Sequence, residues 1–280
     1  MAAPFSQFLS NFDKTKTVCL IAGSGLYPIL MAESIRALEL KLVLVAFEDE
    51  TCPSLFQSFQ EDERVMLKVG QVGKLLKALR HFGASYVLMA GQIGPKKLFR
   101  GMQPDFKALL LLAKLKERNA ESIFGALAAE IEKQGMQLLD ARAFMDEHMA
   151  TAGLMVKGGD IDMPNIHYGV TIAKELARLD IGQGLVVSQG TVIAVEAFEG
   201  TNAMLSRAGS LGAKRPIFVK TAKQGQDFRF DVPVIGMQTL DVLSKAHIGQ
   251  VALEAGATLI LEKEKVLKQA KALNISIWGY

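Results

Sequence analysis

The sequence predicts an α/β protein of two domains: an N-terminal Rossmann-like domain built on a parallel sheet, residues 1–135, and a C-terminal mixed α/β domain, residues 136–280. Three observations predict it. A chain of 280 residues exceeds the roughly 100–200 that one compact domain usually holds. Half of its residues are hydrophobic and 22% are charged, the composition of a folded protein. The first half alternates short apolar runs with helically spaced segments, which is the βαβ pattern of a doubly wound sheet.

The runs Val18–Ala22, Leu42–Phe47, Val65–Val69 and Tyr86–Ala90 are short and rich in Val, Leu and Ile, as suits strands buried on both faces. Helical spacing fills Leu26–Leu38 and Val72–Phe82 between them. Asp105 can cap a helix running to about Arg118. A further helix over Ala120–Lys133 sets Ile123, Leu127 and Ile131 on one face, and Gly135 ends it. The run Lys133–Asp140 is the expected boundary. Beyond it, strands are expected at Leu185–Ser188, Val192–Ala197, Ile217–Lys220 and Phe228–Val232, and helices at Asn165–Leu179, Thr201–Leu211, Thr239–Ala246 and Lys263–Leu273.

Charge and composition exclude several classes. The 32 Lys and Arg against 29 Asp and Glu leave a net charge of only +3, too little for the basic stripe that holds a nucleic-acid backbone, so no nucleic-acid partner is expected. No apolar run approaches the roughly 20 residues of a membrane helix. Met1–Lys16 lacks the basic start and apolar core of a secretory signal, so a cytoplasmic location is expected. Cys19 and Cys52 read as packing residues rather than a disulfide. The four histidines, His81, His148, His167 and His247, have no zinc spacing, and the familiar serine-elbow and phosphate-loop motifs are absent.

Four segments can carry chemistry. Gly23-Ser24-Gly25-Leu-Tyr-Pro28 follows the first strand and opens a helix, where glycines let the backbone approach an anion; a tight turn without a ligand is the alternative. Gly91-Gln92-Ile-Gly94-Pro95 follows the fourth strand, on the same sheet edge if the sheet is parallel, with Lys96, Lys97 and Arg100 behind it. In the second half, Glu196 and Glu199 end an apolar strand before Gly200 and the helix-capping Thr201. A carboxylate so placed needs a cation, a hydrogen bond or a metal. Gln226-Asp227-Phe-Arg229-Phe-Asp231, if extended, places Asp227, Arg229 and Asp231 on one face and the aromatics on the other, close to Lys220. Carboxylates beside cations suit a metal-bridged phosphate.

Taken together, IAGSGLYP, MAGQIGP, LFRGMQPD, LDIGQGLVVSQGTVIAVEAFEGTNAML, VKTAKQGQDFRFDVPVIG and VALEAGATLIL resemble the LpxI family of UDP-2,3-diacylglucosamine pyrophosphatases over nearly the whole chain. That resemblance implies Mg²⁺-dependent cleavage of UDP-2,3-diacylglucosamine to UMP and lipid X in lipid A synthesis, by two domains with the substrate between them. It implies Asp227 as the residue whose loss stops turnover; side-chain chemistry adds Glu196 or Asp231 as its helper and Asp227, Glu196 and Glu199 as the expected metal ligands. The substrate contacts expected from the chemistry of the residues themselves are Gly23, Ser24, Gly25, Gly91, Gln92, Gln189, Gly200, Thr201, Lys220, Gln226 and Arg229. Where the family commonly has acids, this chain has Ala120 and Asn202. A diacylated substrate implies peripheral contact with the inner membrane. The twelve Met and fifteen Phe can supply an acyl lining, with Met102, Phe106, Leu110 and Phe144–Met149 as candidates, and a homodimer is a further expectation.

Two other readings of the same residues stand beside this one. The glycine loop and Glu48 suit an NAD(P)-dependent oxidoreductase, although Pro28 replaces the third glycine of that fingerprint. The Ala120 departure suits a non-catalytic UDP-sugar or lipid carrier.

Overall fold

A computed structural model describes residues 5–94, 102–117 and 119–280. Pro95, Lys96, Lys97, Arg100 and Arg118, singled out above, lie outside the described residues. The chain divides into two compact units, residues 1–146 with Phe228–Asp231, and residues 147–227 with Val232–Tyr280. The first unit therefore runs past residue 135. The reason is local: Gln137–Leu138 adds to its sheet as a fifth strand, paired with Tyr86 and Val87.

In the first unit, β1 (Thr17–Ala22), β2 (Leu42–Phe47), β3 (Arg64–Leu67), β4 (Ala84–Ala90) and β5 (Gln137–Leu138) form one parallel sheet in the order β3-β2-β1-β4-β5. Every residue of β1 is buried, as expected of a strand covered on both faces. Helices α1 (Tyr27–Ala37), α2 (Pro53–Gln57) and α3 (Val72–His81) connect the strands. Then α4 (Phe106–Lys114) and α5 (Ala120–Glu132) precede β5. Leu75, Leu79, Val87 and Ile131 share one core cluster, so α3 and α5 cover the same sheet face.

Asp105 fixes two helix starts at once. Its Oδ1 accepts the Ala108 N–H at 2.9 Å and its Oδ2 accepts the Gly73 N–H at 2.7 Å, satisfying otherwise unpaired amides of α4 and α3. The α4 helix ends at Lys114. It buries Ala108 and Leu111 but exposes Phe106, Leu109 and Leu110. The expected acyl lining divides accordingly: Phe106 and Leu110 face outward, whereas Phe144, Met145 and Met149 are buried core residues, which corrects the Phe144–Met149 assignment.

In the second unit, β6 (Gly153–Val156), β7 (Gly184–Ser188), β8 (Thr191–Val195), β9 (Ile217–Lys220), β11 (Gln250–Leu253) and β13 (Ser276–Gly279) make a mixed sheet in the order β6-β13-β11-β9-β7-β8. β10 (Val234–Ile235) and β12 (Leu259–Ile260) pair separately. α6 (Met163–Arg178) packs on one face of the large sheet. α7 (Thr201–Ser210), α8 (Met237–Lys245) and α9 (Lys263–Ala272) pack on the other. Gly169 lets α6 approach closely, since a Cβ there would lie 2.8 Å from Val219. No helix among the described residues is long and apolar enough to cross a membrane.

One expected strand does not form. Residues 228–230 make a turn instead of extending Phe228–Val232 into a sheet. Phe228 lies against the Arg142 guanidinium, 3.6 Å from its ring centre, and Phe230 stacks on Phe124 at 6.0 Å. Arg229 pairs with Glu132 at 2.7 Å. Each side chain has its own partner in the first unit, so their alternation does not define two faces of a strand.

An ion-paired carboxylate ties α5 to α4. Glu130 meets Lys107 at 2.6 Å and Lys133 at 2.9 Å, and hydrogen bonds from these two ammonium groups hold its pKa down to about 2 from 4.5. A carboxylate pKa depressed by folding stabilises the fold fully at neutral pH and loses that contribution as the pH falls from about 4.5 towards 2. Carboxyl-carbon NMR titration should therefore place the Glu130 midpoint near 2, and K107M should raise it. A midpoint near 4.5 in the unaltered chain would remove this link between the helices.

Candidate active site

Parallel strands deliver their carboxyl ends to one edge, which is where ligands bind in open α/β sheets. In the first unit β1 and β4 are neighbours, so their two glycine loops meet. The Ser24 N–H donates to the Gln92 carbonyl at 2.7 Å, the Gln92 N–H returns to the Ser24 carbonyl at 3.1 Å, and the Ser24 hydroxyl also donates to Gln92 at 2.9 Å. A Cβ on Gly23 would fall 2.5 Å from the Gln92 oxygen, and one on Gly91 would fall 2.6 Å from the Ser24 oxygen. These two glycines are thus required by backbone-to-backbone contact. Gly25, at φ +94°, has open space around its Cα, and α1 starts just beyond it with no side-chain cap. Gly23, Ser24, Gly25, Gly91 and Gln92 are therefore brought together.

The second unit has the denser cluster. β8, β9, β11 and β13 run in the same direction, and the register aligns Val195 with Leu185, Gly184 with Lys220, Lys220 with Leu253, and Leu253 with Gly279. Glu196, Lys220, Glu254 and Tyr280 consequently emerge along one edge. Lys220 is 5% exposed. Its ammonium donates to the Thr201 hydroxyl at 2.9 Å and lies 3.5 Å from Glu196 Oε2, while Thr201 donates to Glu196 Oε1 at 2.6 Å. Gly184 leaves room for this carboxylate, because a Cβ there would lie 2.5 Å from its Oε2. Gly200, at φ +81°, turns the chain into α7 and delivers Thr201 to the cluster.

After β9 the chain forms the loop that carries Gln226 and Asp227. Gln226 Oε1 accepts the Lys223 N–H at 2.6 Å and the Gln183 amide at 3.2 Å. Asp227, half-buried, is the last residue before the chain enters the first unit at Phe228.

Both Glu196 oxygens face donors from Thr201 and Lys220, and Glu199 pairs with Arg207 at the surface, where the guanidinium lowers its pKa. Glu196, Glu199 and Asp227 do not form a metal cage, and no group of three His, Cys, Asp or Glu among the described residues is placed to hold a metal. Lys220 serves as a buried counter-charge. Arg229 pairs with Glu132, and Asp231 closes the four-residue segment in the first unit. Gln189 sits in the β7–β8 hairpin turn, at φ +47°, where β9 begins and not where it ends. A depression of about 550 Å³ lined by Lys157, Asp160, Asp162 and Arg215 lies near that same opposite edge, away from Lys220.

Sequence reading missed Glu254. Its Oε2 accepts the Thr221 hydroxyl and the Ala222 N–H, each at 2.7 Å, and lies 2.6 Å from Lys174. Burial opposes its charge, but Lys174 and these two donors outweigh burial and hold its pKa below the usual carboxylate value. The signal was present in VALEAGATLIL, a buried strand ending in an acid.

Fold and site define a two-unit α/β protein with a polar, charge-paired cluster at the carboxyl edge of its second sheet. The LpxI N-terminal domain model matches residues 17–148, and the LpxI C-terminal domain model matches residues 151–278. The "UDP-2,3-diacylglucosamine pyrophosphatase LpxI" of Caulobacter vibrioides is 32% identical over 273 residues, covering 93% of this chain and 96% of that protein. The chain belongs to the LpxI family. Among solved structures, the N5-carboxyaminoimidazole synthase of Aspergillus clavatus with ADP and 5-aminoimidazole ribonucleotide overlaps 63% of this chain and 39% of its own, at 14% identity and a TM-score of 0.23.

A charge buried beside its partner makes a specific prediction. K220M or E196Q alone should lower the unfolding free energy by up to about 3–5 kcal/mol, because each strands the other group. The double variant should lose clearly less than the sum. Denaturant unfolding of the four proteins checks this, and additive losses would mean that the two groups do not interact.

Proposed function

We propose that this chain hydrolyses the pyrophosphate of UDP-2,3-diacylglucosamine, releasing UMP and 2,3-diacylglucosamine 1-phosphate (lipid X), in lipid A biosynthesis. The observation that carries the reading is the 32% identity with a protein of that name across 96% of its length. The cluster at the carboxyl edge of the second sheet is chemically suited to the reaction. Water adds to the sugar-side phosphorus, the bridging P–O bond breaks, and UMP leaves with the bridging oxygen.

In this proposal Asp227 is the residue on which turnover depends, and the field of the buried Lys220 offsets negative charge on the diphosphate. Magnesium commonly takes one or two carboxylates and completes its shell with substrate phosphate oxygens and water, so it needs no cage of three acids. Asp227 is the carboxylate assigned to it, and the ion would supply charge neutralisation on the phosphate oxygens. In the first unit, Gly25 has open space and precedes the uncapped start of α1, so its loop is the part that can approach an anion. The nicotinamide reading has no support in the family match.

The same proposal places the enzyme at the cytoplasmic face of the inner membrane, where its diacylated substrate resides. α4 supports this contact. Phe106, Leu109 and Leu110 form an exposed apolar stripe at helical spacing, and Lys114 and Lys116 are exposed beside it, the pattern of a surface that settles on anionic lipid.

One assay tests both parts. UMP release from substrate in anionic phospholipid vesicles with Mg²⁺ should be readily measured for the unaltered chain and fall at least about a thousandfold in D227A. In F106S/L110S it should fall in vesicles and recover in detergent micelles. An unaltered chain that releases no UMP would overturn the function, and F106S/L110S at full rate in vesicles would overturn the membrane contact.

A further inference from the structure

We propose that Glu254 is a positioning residue: together with Gln183 it clamps the loop of residues 221–226 at its two ends and so fixes the approach of Asp227. The inference rests on the reading of Asp227 above and deepens it. Where β9 ends, the chain is held by groups from the neighbouring strand ends. The Glu254 N–H donates to the Lys220 carbonyl at 3.1 Å, and the Tyr280 hydroxyl donates to the same oxygen at 3.1 Å. The Glu254 carboxylate then takes the Thr221 hydroxyl and the Ala222 N–H, so three consecutive residues, 220 to 222, are fixed by one glutamate. Thr221 is fully buried, which leaves its hydroxyl no water to exchange for this partner.

Gln183 spans the loop: its carbonyl accepts the Thr221 N–H at 2.9 Å at the near end, and its side-chain amide holds the far end by donating to Gln226 Oε1 at 3.2 Å. Gly225, at φ +74°, makes the turn between the clamps, and the Gln226 N–H closes it on the Lys223 carbonyl at 3.2 Å. Lys174 approaches Glu254 from α6, so the helix covering one sheet face also fixes the carboxylate. A clamp of this kind acts on a catalytic geometry, where misplacement by about 1 Å can cost on the order of a hundredfold in rate.

Steady-state kinetics of UMP release and amide hydrogen exchange, both on the full chain, test the proposal. E254A should lower kcat by on the order of ten- to a hundredfold, with KM changed less than about twofold. E254Q keeps an oxygen acceptor for Thr221 and Ala222 and should recover most of the loss. If E254A does not fold, Q183A gives the same test from the other end, with kcat reduced and KM held. Exchange at residues 221–227 should be faster in E254A or Q183A, whether or not the chain turns over this substrate. An unchanged kcat in an active, folded variant, a loss that falls on KM, or unchanged exchange in this loop would each overturn the clamp. Absence of UMP release by the unaltered chain, with exchange still accelerated in the variants, would instead overturn the function and leave the clamp standing.

Discussion

The ammonium of Lys220 lies at the end of β9 with only 6% of its side chain exposed, and the second unit is arranged around keeping it paired. A lone buried charge costs several kcal/mol, so its partners must arrive from elements distant in sequence. Glu196 comes from the end of β8 and Thr201 from the start of α7, and Gly184 clears the volume the carboxylate occupies. β8 and β9 run the same way because each pairs antiparallel with β7, and that shared direction brings Glu196 to the Lys220 end of the sheet.

The neighbouring strand ends extend the same arrangement. Glu254 and Tyr280 reach the Lys220 carbonyl from the β11 and β13 side, and the Gln183 carbonyl takes the next amide, Thr221 N–H, from the β7 side. The loop beyond it then ends in Asp227. From Phe228 the chain spends four residues in the first unit. There Arg142, held by Asp140 at 2.6 Å, lies between the rings of Phe8 and Phe228, a stack in which the guanidinium meets two aromatic faces. The Phe228 carbonyl accepts the Ala141 N–H at 2.8 Å.

Much of the fold was legible in the sequence. The buried strands β1, β2 and β4 and the longer helices declared themselves by apolar runs and by caps such as Asp105, because those signals are local. Gly23 and Gly91 were legible as a pair once the strands were taken as parallel, although much of what their missing side chains admit is each other's loop. Other features depend on partners far away in the chain. Phe228, Arg229 and Phe230 alternate like a strand, yet Arg142, Glu132 and Phe124 claim them one by one. Glu196 and Glu199 looked like a ligand pair, but the cations that take them stand on β9 and α7. Glu254 and Lys174 lie eighty residues apart and share no spacing that could have paired them. Two-residue strands such as β5 and β10 carry too few side chains to show a period.

In the proposed function the carboxyl edge of the second sheet, and not the depression beside Arg215, receives the reacting part of the substrate. Hydrogen exchange of the D227A chain with UDP-2,3-diacylglucosamine tests it most directly. Protection is expected at residues 182–184, 196–202 and 220–227. Protection confined to residues 154–164 and 215, with the Lys220 edge unchanged, would contradict it.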